Sequence, residues 1–168
     1  MPVFQEGDFV LSESLAIAKY LCDRNEGTSL YPREPKQRAT IDMHIGIFDD
    51  LRMNQLRLDY LEVVEPKIFK KEINPTLIAM VTATVKKILG EYETLFKEDP
   101  AKQFVYLDQL TILDFILAQQ LIATEFVKYD YSVEFPRLHQ YFTDLAKAYP
   151  LFEEELNDFK KACKGLPQ

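Results

Sequence analysis

No apolar run in this sequence comes near the ~18 residues that a bilayer-spanning helix needs, so no such helix is expected. Basic residues are in the minority: 20 Lys and Arg face 27 Asp and Glu, a net charge of −7. No stretch of Lys and Arg is interleaved with aromatics, so nucleic acid and anionic membrane are poor partners. Cysteine is scarce as well. Cys22 and Cys163 lie far apart, fit no C-x-x-C or metal spacing, and read as reduced thiols of a cytoplasmic protein. His44 and His139 are isolated and read as helix-surface residues rather than metal ligands. Met1-Pro2 leads into acidic residues, not into a basic segment and an apolar core, so no signal peptide is read. Internal repeats and low-complexity tracts are also absent.

What is present is the material of one sizeable core, or of one domain with a fragment of another. The chain has 168 residues, and 47% apolar with 28% charged is ordinary for a soluble globular protein. PVFQEGDFVL (2–11) reads as two short strands around the turn Gln5-Glu6-Gly7-Asp8. Leu15, Ile17, Ala18 and Leu21 follow as a helical stripe. Asp23 to Glu34 carries glycine, proline and charge with little periodicity, and reads as a linker.

Everything after the linker reads as helix. Pro35 suits a first helical position, and Ile41, Ile45, Phe48, Leu51, Leu58 and Leu61 recur at helical spacing until Pro66 ends or kinks the element. Asn74-Pro75 is a cap followed by a first-turn proline. Leu77, Val81, Thr84, Ile88, Tyr92 and Leu95 then predict one buried face, and Asp99-Pro100 breaks the helix. Thr111-x-x-Asp114 is a capping box with aspartate in place of glutamate, and Leu110 and Phe115 occupy the staple positions. The stretch it opens, ILDFILAQQLIATEFV, is apolar nearly all round and is predicted to lie at the centre of a bundle. Pro136 and Pro150 start two more helices, the last ending near Cys163.

A terminal two-stranded hairpin is marginal in water without further strands. The helix after it covers one face, and nothing in the sequence supplies the rest. Residues 1–23 therefore read as the closing part of a small α/β domain.

The residues of this part carry a resemblance. Pro2, Gly7-Asp8-Phe9, Leu11, Glu13-Ser14, Ala16-Ile17 and Tyr20-Leu21 resemble the end of the thioredoxin-like domain of cytosolic glutathione S-transferases. That family shows a cis-proline strand, a D-G-D hairpin, an E-S or Q-S pair and A-I-x-x-Y-L. Leu30-Tyr31-Pro32 is similar to its interdomain linker, Thr111-x-x-Asp114 to its N-capping box, and Pro136-Arg137-Leu138 to the segment that follows. Phe48-Asp49-Asp50-Leu51-Arg52, leading on to Pro66, resembles the long helix of the theta class with its active-site arginine. There are departures. Leu107 stands where glycine often precedes the box, Leu113 replaces a small residue, and Met1 replaces the valine before the proline. The family's first strand and helix, with the catalytic serine, tyrosine or cysteine, find no counterpart here, so no catalytic residue is assigned.

The chemistry of Glu13-Ser14 can be stated both ways. A γ-glutamyl group is a zwitterion. A helix N-terminus with the Ser14 hydroxyl suits its carboxylate, and Glu13 suits its ammonium. The plainer reading makes Ser12 or Ser14 an N-cap and Glu13 a first-turn acid. Arg52 likewise is either a cation beside the sulfur or the leaving group, or a surface partner of Asp49 at i, i+3. Tyr60, Tyr92 and Phe126 read as core. The resemblance also implies that Met1 and Pro2 meet the cysteinyl part of glutathione.

The expected fold is mainly α: a glutathione-transferase C-terminal helical bundle of about five helices, preceded by a truncated thioredoxin-like α/β remnant of hairpin plus helix. The expected divisions are 1–23 for the remnant, 24–34 for the linker and 35–168 for the helical domain. The resemblance implies conjugation of glutathione, as cosubstrate, to a small hydrophobic electrophile. It also implies a cytoplasmic homodimer with no metal and no cofactor, the chain alone being inactive or weakly active. The alternative is a non-catalytic interaction module of the elongation factor one gamma type.

Overall fold

The computed structural model describes residues 2–25, 28–124, 126 and 129–164. Met1 lies outside them, and with it the Met1–Pro2 bond. Strands β1 (Val3–Glu6) and β2 (Phe9–Ser12) pair antiparallel, with Val3 opposite Ser12 and Glu6 opposite Phe9. That register leaves Gly7-Asp8 as the turn. Gly7 takes φ +57°, as the first central residue of a II′ hairpin turn does. Helix α1 (Ser14–Arg24) lies against one face of the hairpin. Its Tyr20 ring meets Phe4 and Phe9 at centroid distances of 5.5 and 5.2 Å, and its hydroxyl donates to Glu6 at 2.9 Å. Arg24 also ion-pairs with Glu6. Hairpin and α1 therefore form one small unit.

The apolar stripe expected of α1 does not become a core face. None of its residues is fully buried, and Leu21 is 42% exposed. A two-stranded hairpin is too narrow to cover the stripe, and only Leu15 and Cys22 of α1 pack against the main core.

Helix α2 (Pro35–Asp59) begins where expected, with Glu34 accepting from Lys36 N at 3.0 Å and Gln37 N at 2.7 Å. Its predicted face is buried throughout: Ile41, Ile45, Phe48, Leu51 and Leu58. Pro66 does not stop the element at once, and the winding runs two residues past it to Ile68. Instead the helix widens to π geometry over Tyr60–Ile68, with Pro66 inside. The looser winding accommodates a residue that has no N–H to give and whose ring crowds the preceding turn. Tyr60, expected in the core, is 42% exposed on this segment.

Helix α3 (Pro75–Glu98) is capped by Asn74 Oδ1, which accepts from Leu77 N at 3.0 Å. Its buried face runs through Val81, Val85, Ile88, Leu89, Tyr92 and Phe96. Thr84, expected on that face, is exposed and returns its hydroxyl to Met80 O. Helices α4 (Ile112–Ala123), α5 (Pro136–Ala148) and α6 (Pro150–Lys164) complete the bundle. α4 is the central element, with Leu113, Leu117 and Leu121 almost wholly buried. It is shorter than its apolar sequence suggests. The helix ends at Ala123, where the buried Thr124 hydroxyl donates to Leu121 O at 2.7 Å. α2 packs on α3 and α4, α3 on α5, and α6 on α4 and α5. Stacked rings mark the seams: Phe48 on Tyr92 at 4.9 Å and Phe96 on Tyr141 at 4.4 Å.

Two polar residues inside the bundle have assigned tasks. Glu93 of α3, 4% exposed, accepts from Arg137 N at 3.2 Å and Leu138 N at 2.7 Å. It caps α5 from a neighbouring helix, where Phe135 offers no side-chain cap. His44 is not the surface residue expected. It is half-buried, its Nδ1 lies 3.0 Å from Tyr92 Oη, and burial pushes its imidazole pKa down. His139 is exposed, as read.

Candidate functional site

The hairpin–α1 unit and the bundle meet at a cleft of about 440 Å³. Glu13, Ser14 and Leu15 form one wall, Phe48, Asp49 and Arg52 of α2 another, and Ile116, Gln119 and Gln120 of α4 the third. Glu13-Ser14 and Arg52, distant in sequence, thus share one opening.

The start of α1 differs from a plain cap. Glu13 occupies the N-cap position with φ +71° and ψ 115°, and its side chain makes no capping hydrogen bond. Ser14 is the first helical residue, and α1 has no acid in its first turn. The plainer reading, Ser12 or Ser14 as cap and Glu13 as first-turn acid, is therefore not what the backbone adopts. The first hydrogen bond of the helix runs from Ile17 N to Glu13 O at 2.9 Å. The N–H groups of the turn before it carry no side-chain partner, and among the described residues the Glu13 carboxylate has neither hydrogen bond nor ion pair. A non-glycine residue at positive φ costs energy that such junctions retain where a side chain must be aimed. The wall therefore presents a free carboxylate beside free N–H donors and a hydroxyl, complementary to a zwitterion.

Arg52 stands across the cleft as half of an ion pair. Its Nη2 and Nε lie 3.1 and 3.3 Å from Asp49 Oδ1, with about half of each side chain exposed. The i, i+3 reading of this arginine is correct as geometry, and the same residue also lines the cleft. Pro2 is exposed and is not among the lining residues.

The α4 wall was not anticipated. Gln119 donates to Glu155 of α6, and the Gln120 carbonyl accepts from Gln55 Nε2 at 2.9 Å. A pair of adjacent amides in an otherwise apolar helix was the available signal. Buried Gln55 keeps its Oε1 without a partner. Behind α4, the capping box is formed: Thr111 N donates to Asp114 Oδ2 at 2.8 Å, and Leu113 N donates to Thr111 Oγ1 at 3.3 Å.

Residues 75–144 match the family described as glutathione S-transferase, C-terminal domain. The chain is similar to glutathione S-transferases, those of the theta class included. It is 27% identical over 124 residues to cattle (Bos taurus) glutathione S-transferase theta-1, covering 73% of this chain and 51% of that protein. It is 26% identical over 144 residues to chicken (Gallus gallus) glutathione S-transferase theta-1, covering 84% and 54%. The chain thus spans about half the length of these curated relatives. In fold it is similar to human glutathione-S-transferase T1-1 in its apo form, with TM-score 0.83 and 23% identity over 99% of this chain and 71% of that one. No helix among the described residues is long and apolar enough to cross a membrane.

Proposed function

We propose that this chain supplies the glutathione-binding and electrophile-side walls for conjugation of glutathione to electrophiles, holding the γ-glutamyl end of glutathione at Glu13 and Ser14 and being itself inactive or weakly active alone. The observation that carries the reading is the uncapped start of α1, with its unpaired carboxylate, opening into the same cleft as Arg52. The γ-glutamyl carboxylate meets the N–H groups of α1 and the Ser14 hydroxyl, and the ammonium meets Glu13. Arg52 faces the reacting end, where a cation favours thiolate or steadies a departing anion. Binding both reactants in one cleft supplies proximity. Pro2 and Met1 belong to the proposal only as contacts of the cysteinyl part. A cytoplasmic homodimer is the setting we propose.

The test is calorimetric titration with glutathione and with an analogue lacking the γ-glutamyl amine. The unaltered protein should prefer glutathione. Glu13→Gln keeps the size and loses the charge, so it should weaken glutathione about ten- to a hundredfold and erase most of that preference. Equal binding of the two ligands by the unaltered protein would remove Glu13 from the site.

A further inference from the structure

The cleft has walls on two units that share little apolar contact, since α1 buries no residue fully and gives only Leu15 and Cys22 to the core. Something else must hold the hairpin–α1 unit at a fixed angle to α2. The candidates lie along the same helices, beyond the end of α1 that forms the cleft.

There the linker places Tyr31 between two cations. Arg38 of α2 stands 4.3 Å from the ring centroid, and Lys19 of α1 stands 5.4 Å from it. The Tyr31 hydroxyl donates to Asp42 of α2 at 2.9 and 3.1 Å from its two oxygens. Asp42 in turn pairs with Lys19 at 2.8 Å. Arg38 pairs with Asp23 of α1 and donates to Pro32 O at 2.6 Å. Leu30 O accepts from Ile112 N at 2.9 Å, which ties the same linker to the start of α4. Two residues of α1, two of α2 and a buried aromatic thus close one charged ring.

We infer that this ring, Lys19, Asp23, Tyr31, Arg38 and Asp42, is a latch that sets the angle between α1 and α2 and so the width of the cleft at Glu13 and Arg52. The hairpin–α1 unit is internally tied through Tyr20 and Arg24 to Glu6, so it moves as a body when the latch loosens. The ion pairs are partly exposed, with side-chain exposures of 31% and 46% for Lys19 and Asp42. Such pairs weaken with salt, whereas the aromatic core of the bundle does not. These five are positioning residues, acting on the cleft through α1. The inference deepens the proposed site, but the latch itself stands on contacts that involve no ligand.

The test is a distance measurement between spin labels at Val10→Cys on the hairpin and Met43→Cys on α2, with Cys22→Ala and Cys163→Ser as background. Lys19→Met and Asp42→Asn should each broaden the distance distribution about twofold while the melting temperature of the bundle stays near the parent's. Raising salt to about 1 M, where the Debye length is about 3 Å, should broaden the parent in the same direction. Tyr31→Phe keeps both cation contacts and loses one hydrogen bond, so it should broaden less than Tyr31→Leu. The swap of Lys19→Asp with Asp42→Lys should recover only part of the narrowing, since it rebuilds the ion pair but loses the Lys19 ring contact and the Tyr31–Asp42 hydrogen bond. Unchanged widths in Lys19→Met, Asp42→Asn and high salt would overturn the latch. Glutathione titration of the same variants separates the two ideas. Broadening accompanied by no glutathione binding in any form, parent included, would keep the latch and remove the glutathione reading. Glutathione binding by the parent with unchanged widths in the variants would do the reverse.

Discussion

Tyr141 donates its phenolic proton to Asp114 Oδ1 at 3.0 Å, joining α5 to the start of α4 through a carboxylate that solvent does not reach. The same carboxylate accepts from Val105 N, Thr111 N and Thr111 Oγ1. Burial pushes its pKa up while these four bonds hold it down, and burial together with Asp114 raises the Tyr141 phenol. The box is therefore more than a local cap, because one side chain satisfies donors from three parts of the chain.

From this the stability ranking of the capping box follows. Thr111→Ala should cost about 1–2 kcal/mol, the loss of one buried cap. Asp114→Ala should cost about 3–5 kcal/mol, since it strands buried donors on the loop, the cap and α5. Tyr141→Phe should cost about 1 kcal/mol. Urea denaturation midpoints measure all three, and equal midpoints for Thr111→Ala, Asp114→Ala and the parent would refute the ranking.

Asp59 closes α2 just before the π-helical segment, and burial, then Glu62, raises its pKa to about 6. A carboxyl whose folded pKa exceeds its unfolded one binds its proton more tightly when folded. Its contribution is thus present below about pH 4 and is lost as pH rises through about 6. Asp59→Asn should leave stability unchanged at pH 4 and raise it at pH 7 by about 1–2 kcal/mol. That figure discounts the roughly 1.4 kcal/mol per pH unit for the solvent around a half-exposed group. Melting curves across that range decide it; a variant no more stable than the parent at pH 7 contradicts the assignment.

The positive φ of Glu13 gives a prediction that needs no ligand. Any side chain there retains the Cβ strain of about 1–2 kcal/mol, and only glycine escapes it. Glycine also loses more entropy on folding, by about 0.4–1 kcal/mol. Glu13→Gly should therefore melt above Glu13→Ala by about 1 kcal/mol in stability. The opposite order in a paired thermal scan would mean that the junction relaxes in solution.

The helical half of the fold was legible because its signals are local. Prolines at 35, 75, 136 and 150 mark starts, and caps at Asn74 and Thr111 point to side chains within a turn. The face of α2 was legible because it meets helices along its length. The stripe of α1 misled, since periodicity reports amphipathicity and not how wide the partner surface is. Thr84 misled for a simpler reason: its spacing fits a face that Val85 occupies. The π winding of Tyr60–Ile68 left no pattern beyond Pro66.

The candidate site was legible in its residues and not in its assembly. Glu13-Ser14 and Arg52 could be named from short motifs, but no local spacing places residue 13 opposite residue 52. The α4 wall of Gln119 and Gln120 was hidden because an amide in an apolar helix can serve a helix contact or a cleft with the same sequence. Gln119 shows the ambiguity: its side-chain amide donates to Glu155 of α6, and the residue also lines the cleft.

The cap that Glu93 gives α5 makes one helix conditional on another. A helix with its own cap can nucleate as an isolated segment, but α5 starts at Phe135-Pro136 without one. Its first turn closes through His139 N and Phe135 O, but the two N–H groups ahead of that bond find their acceptor only when α3 brings Glu93 alongside. The order of assembly is thereby biased toward α3 before α5. Departure of α3 likewise leaves these two N–H groups without their acceptor, which favours fraying of α5 from its N-terminus.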